Sequence, residues 1–99
     1  MNVSVPAQRK VLGFYGADAQ ATVHMEECAE LIQAVSKMRR VRNAGADDSD
    51  AYYNLVEEMA DVLICLEQIQ EMYGIPDHEI QTAVSKKCVR QEARMHESH

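Results

Sequence analysis

Apolar residues recur at helical spacing along residues 55–73. At about 100° per residue, Leu55, Met59, Val62, Leu66, Ile69 and Tyr73 point within roughly 40° of one direction. A second stripe, Ala21, Met25, Cys28, Ile32 and Val35, is flanked by His24, Leu31 and Met38. A shorter one, Ile80, Ala83 and Val84, lies near the C-terminus. Turn signals separate these stripes and define four predicted helices. The first is short, in "PAQRKVLGFYG", ending near Gly13–Gly16. The second runs from about Asp18 to Arg42, where "NAGADDSD" breaks it and offers Asp48 or Ser49 as the next N-cap. The third ends at Tyr73, before the Gly and Pro of "YGIPD". The fourth starts near Pro76 or Asp77 and is expected to fray within "RMHESH". With no internal repeat or low-complexity segment, residues 1–99 read as one all-α domain with its core at about 18–95.

Composition supports the helical reading. The chain is 46% hydrophobic but only 5% aromatic, with no Trp, four Gly and two Pro, which disfavours a sheet. A chain of this length buries roughly 60–65% of its unfolded surface. The formal net charge of −6 argues against nucleic acid and anionic membranes as partners. No apolar run approaches the roughly 20 residues that span a bilayer, and "MNVSVPAQRK" has no signal-peptide core. Cys28, Cys65 and Cys88 are odd in number and widely spaced, which fits a reduced cytoplasmic protein in which each fills core volume. The apolar arcs of the two long helices span roughly 180°, wider than the approximately 100° stripe of a helix packed on one side. A homodimer or larger assembly is therefore expected.

The acids change the picture. Glu58 lies only about 60° from the centre of the third helix's apolar arc, and Asp61 follows one turn later. A carboxylate inside a packed face needs a partner, because desolvating its charge costs several kcal/mol. Glu27 sits at the margin of the second helix's arc, with Glu30 about 60° further round. Taken alone, Glu27 and Glu30 make a solvated acidic edge. Two long helices with a short connection pack antiparallel, however, and can bring that edge beside Glu58 and Asp61. Four converging carboxylates cannot all stay ionised without a cation, and oxygen-only ligands suit Mg²⁺ or Mn²⁺. The competing account pairs Glu58 with Arg39 or Arg40.

The last helix carries the opposite charge. Extending the Ile80/Ala83/Val84 face gives Lys87, Arg90, Gln91 and Arg94, with Lys86 about 100° away from Lys87. Bases near a helix C-terminus also complement the helix dipole. Facing the acids, they would form an anion clamp. Acids for Mg²⁺ and bases for phosphate suit polyphosphate chemistry.

The segments "EECAE" at 26–30 and "EMAD" at 58–61 form an EExxE followed by an ExxD on successive helices. Together with "AELIQA", "ADVLICLEQI" and "YGI", they resemble the MazG-like all-α nucleoside triphosphate pyrophosphohydrolases over roughly residues 20–95. The resemblance implies a four-helix-type bundle assembled as dimers or dimers of dimers. It also implies Mg²⁺-dependent cleavage of a nucleotide between the α- and β-phosphates, giving a monophosphate and pyrophosphate. Glu27, Glu30, Glu58 and Asp61 match the family's metal ligands, and Glu26 matches a more variable, supporting position. Lys87 and Arg94 look like its phosphate-gripping bases, with Arg90 assisting. Where many relatives carry Asn in the last helix, this chain has Gln91 or Arg90, and it lacks the Trp many place before the first motif. Phe14, Tyr15 and Gln20 are then the residues left for base recognition. A phosphoribosyl-ATP pyrophosphohydrolase-like enzyme shares this chemistry. A non-catalytic helical oligomerisation or regulatory module is the non-enzymatic alternative, with "KMRRVR" at 37–42 either meeting a partner or simply ending a helix in bases. A di-iron bundle would need Glu-x-x-His pairs joined to the acid motifs, and there are none.

Overall fold

The computed structural model describes residues 1–98. It is all-helical, with four helices and no strand among the described residues: α1 (Arg9–Tyr15), α2 (Ala17–Asn43), α3 (Ser49–Tyr73) and α4 (Asp77–Glu97). Each boundary falls within two residues of its sequence expectation except the first, where α1 begins three residues into "PAQRKVLGFYG", and the last. α4 continues through the segment expected to fray, as far as Glu97, and His99 lies outside the described residues. No helix is long and apolar enough to cross a membrane.

Local chemistry sets the turns. Gly16 joins α1 to α2 at φ 89°, ψ 155°, a conformation that L side chains rarely adopt. Asp48 occupies the N-cap position of α3, but its carboxylate accepts from Arg42 Nε at 2.8 Å instead of capping. Asp47 takes over the local bonding: its Oδ1 accepts from the Ser49 amide at 3.1 Å and from Ser49 Oγ at 2.7 Å. Those bonds hold the Asp47 carboxyl below its ordinary range. Gly74 closes α3 in the left-handed region (φ 63°, ψ 38°), and the amides of Gly74 and Ile75 both return to Gln70 O. Gln70 Nε2 then donates to Ile75 O and to Asp77 Oδ1, tying the turn to the start of α4.

α2 and α3 form the antiparallel hairpin that the short connection implies, and α1 packs against both. The seam of the hairpin follows an alternating four–three spacing. On α2 it comprises Gln20, His24, Glu27, Leu31, Ala34, Met38 and Val41; on α3, Ala51, Asn54, Glu58, Asp61, Cys65, Gln68 and Met72. All of these are buried or half-buried. The apolar stripe expected to pack α2 is therefore offset from the face that packs. Met25, Ile32 and Val35 are exposed, as are Met59, Leu66 and Tyr73 of the α3 stripe. The two-helix seam is narrower than either apolar arc, so much of each arc is left outside it. Small residues, Ala34 and Ala51, are among the most buried positions. Their small side chains allow a close approach of the two helices.

α4 departs furthest from expectation. It packs against no other helix, and all its residues are exposed among those described. Its apolar segment, Ile80, Ala83 and Val84, is short, and the Gly74–Pro76 turn directs it away from the hairpin. The cysteines divide similarly: Cys65 is buried, whereas Cys28 and Cys88 are exposed and fill no core volume within one chain. With an accessible surface of 7957 Å², the lone chain buries about half of its unfolded surface rather than 60–65%.

Candidate metal centre

Along the seam three chemistries succeed one another. Near the α2–α3 connection it is apolar, with Ala34, Met38 and Ala51. At the opposite end it holds an amide network. His24 Nε2 lies 2.8 Å from Gln68 Oε1, which also accepts from Gln20 Nε2 at 3.0 Å, while Gln68 Nε2 donates to Gln8 Oε1 at 3.1 Å. Since an amide oxygen only accepts, His24 carries its proton on Nε2 here. Gln8, Gln20, His24 and Gln68 are all buried, and the network fixes the α2–α3 register while anchoring the segment before α1. Gln20 is thus a structural residue in the chain. Phe14 and Tyr15 stack edge-to-face on the surface with ring centroids 4.8 Å apart.

Between these ends lie the acids. Glu27 from α2 and Glu58 and Asp61 from α3 each offer a carboxylate oxygen, all within 4.8 Å of one another. Both glutamates have a buried oxygen, Oε2, with no hydrogen-bond partner. Burial raises the Glu27 carboxyl to about 7, helped by the charges of Asp61, Glu30 and Glu58. Glu58 is likewise raised, by burial first and then by Glu30 and Asp61. Nothing basic neutralises the group: the ion pairs among the described residues are Arg9–Glu71 at 3.3 Å and Arg42–Asp48 at 2.8 Å. Glu58 does not pair with Arg39 or Arg40.

An orphaned carboxylate is costly, and two side by side are costlier. The donor set is entirely carboxylate oxygen, which fits a hard divalent cation such as Mg²⁺ or Mn²⁺. Cys65 borders the cluster, but burial, followed by the Glu27 charge, pushes its thiol up to about 11. That direction disfavours its thiolate.

The sequence-derived residues divide clearly. Glu27, Glu58 and Asp61 meet on the seam; Glu30 is exposed at its rim, close enough to raise both glutamates. Glu26 points outward and is not part of the cluster. Lys87, Arg90, Gln91 and Arg94 are exposed on α4, which touches no other helix, so one chain does not bring them to the acids. The expected face-to-face clamp is absent within the chain because α4 is not folded back onto the hairpin. Sequence reasoning missed the glutamine network and the cleft described below. The four–three spacing of Gln20, His24, Glu27, Leu31 and Ala34 was the available signal, hidden because three of those five positions are polar. No protein-family model, curated protein or solved structure matches the chain.

Proposed function

We propose that the protein is a Mg²⁺-dependent nucleoside triphosphate pyrophosphohydrolase of MazG-like type, which converts a nucleotide to its monophosphate and pyrophosphate. The observation that carries this reading is the pair of buried, unpartnered carboxylate oxygens of Glu27 and Glu58 beside Asp61. Such a group is stable only protonated or bound to a cation. Glu27, Glu58 and Asp61, joined by Glu30 from the rim, would hold the Mg²⁺. Bound there, the ion supplies charge neutralisation at the phosphates and activation of water. The chain's own part is to hold the four acids on two rigid helices. The order EExxE then ExxD adds the resemblance described above.

In this reading the protein works as a homodimer or dimer of dimers. The exposed outer arcs of α2 and α3 and the unengaged α4 support that assembly. Any contact of Lys87, Arg90 or Arg94 with substrate would come from α4 of a second copy, with Glu26 and Gln91 in supporting positions. The test is incubation of the protein and Mg²⁺ with a panel of ribo- and deoxyribonucleoside triphosphates and phosphoribosyl-ATP, reading pyrophosphate release. Release from at least one substrate, abolished by Glu58→Gln, is expected. An intact panel would instead favour the non-catalytic oligomerisation module.

A further inference from the structure

A cleft of about 700 Å³ opens beside the acids, between α2 and α3. One wall is a strip of α2 running Glu30, Gln33, Lys37 and Arg40; Asn54 and Glu58 of α3 form the other. The cleft is therefore polarised. Glu30 and Glu58 stand at one end, and Lys37 lies about 10 Å further along the α2 axis, with Arg40 about one turn beyond it. Neither Lys37 nor Arg40 has an ion-pair partner among the described residues, whereas the nearby Arg42 is neutralised by Asp48.

Two unpaired cations sharing a cleft with unpaired carboxylates cannot be explained as mutual compensation. The Arg40 side chain lines the same space as Glu58 and yet makes no bond to it. Bases ending a helix do complement its dipole, but that effect does not require a cleft or the amides of Gln33 and Asn54 beside it. A ligand satisfying both ends carries positive charge toward Glu30 and Glu58 and negative charge toward Lys37 and Arg40. A metal-bound polyphosphate has that charge order.

We propose that Lys37 and Arg40, with Asn54 as a hydrogen-bond donor, form the polyphosphate subsite of this protein, supplied by the same chain that holds the acids. The choice of polyphosphate over another anion rests on the pyrophosphohydrolase reading; the anion site itself rests on the cleft. Arg is suited to bidentate contact with phosphate, and Lys to a point charge. The subsite thereby differs from the α4 bases, which meet no acid within the chain.

Titration calorimetry with inorganic tripolyphosphate in Mg²⁺ tests this directly. Lys37→Ala and Arg40→Ala should each weaken binding by roughly tenfold or more, the usual loss for a charge-assisted contact. The charge-keeping Lys37→Arg should retain most of it. Arg39→Ala does not line the cleft and should bind as wild type. Melting curves check that the exposed substitutions leave the fold intact. If Lys37→Ala and Arg40→Ala bind normally while Lys87→Ala or Arg94→Ala lose binding, the subsite is on α4 and the proposal is overturned. Wild-type protein that shows no tripolyphosphate binding overturns it as well. The two readings separate cleanly: tripolyphosphate binding that depends on Lys37, beside an untouched nucleotide panel, upholds the anion site and removes the hydrolase.

Discussion

At the scale of single residues, the protein places charge where packing would not. Glu27 and Glu58 occupy seam positions that a hairpin built only for stability would fill with Leu. The cost should be visible as a pH dependence of the metal-free fold. The unfolded Glu27 carboxyl titrates near the ordinary 4.5, and the folded one near 7. Between those values the native state holds a proton that the unfolded state has released, so stability falls as pH rises through the window. The contribution is fully present below about 4.5 and lost above about 7. In EDTA the melting temperature should therefore decline from pH 5 to pH 8, and Glu27→Gln should flatten the decline. A wild-type curve as flat as that of the variant would show that Glu27 is not strained. Glu58→Gln probes the same cluster from α3. It removes one repelling charge at nearly constant volume, so the metal-free protein should melt at the same temperature or higher. If the folded cluster holds the cation, millimolar Mg²⁺ should raise the melting temperature of the wild type, since a ligand of the native state alone stabilises it, and should raise that of Glu58→Gln less. A variant that melts several degrees lower without metal, beside a wild type indifferent to Mg²⁺, would remove the metal centre.

At the scale of elements, the α2–α3 hairpin is held by a seam whose closest residues are small. Ala34 is 1% exposed and Ala51 3% exposed. Ala34→Leu enlarges a buried seam residue that borders the cleft and should cost about 1–3 kcal/mol by urea unfolding, a typical overpacking cost. A Leu accepted without loss would mean that its side chain turns into the cleft and leaves the seam undisturbed. The four helices themselves were legible in the sequence because Gly16, Gly45, Gly74 and Pro76 punctuate it and because helical spacing survives local noise. The packing face was not. Apolar content favours the arc through Met25, Ile32 and Val35, but hydrophobicity reports what leaves water, not which neighbour covers it. Polar seam residues such as Gln20, His24 and Gln68 are invisible to an apolar periodicity because their burial rests on mutual hydrogen bonds. The acids were legible for the opposite reason. Carboxylates at Glu58 and Asp61 contradict the stripe around them, and a contradiction of that kind points to a partner. The direction of α4 was not legible, since a turn and a short apolar face do not fix where a helix docks.

At the scale of the molecule, the lone chain is open. Its radius of gyration is 16.8 Å, against about 13 Å for a compact domain of this length. Its accessible surface exceeds the roughly 5,700 Å² of a compact monomer of its mass by about 2,200 Å². A standard interface removes about 800 Å² from each partner, so the excess is enough for more than one contact. The apolar residues that could form such contacts are in place: Met25 and Ile32 on α2, Tyr53 and Leu66 on α3, and Val89 and Met95 on α4, all at least half exposed. A groove between the N-terminal segment and the outer face of α3, lined by Val3, Val5, Val56, Met59 and Leu63, adds to the surface left open. Leaving this much apolar area in water costs about 25 cal/mol per Å², a strong drive toward self-association. Light scattering at micromolar concentration should therefore report a dimer or tetramer of the 11.2 kDa chain. Ile32→Asp puts a charge on the exposed arc of α2, at a residue 71% exposed in one chain that also borders the cleft. It should leave the helical content of the hairpin intact while shifting the assembly toward smaller species. A wild type that scatters as a monomer, or an Ile32→Asp variant that unfolds without changing assembly, would show that the outer arcs serve some purpose other than contact between copies.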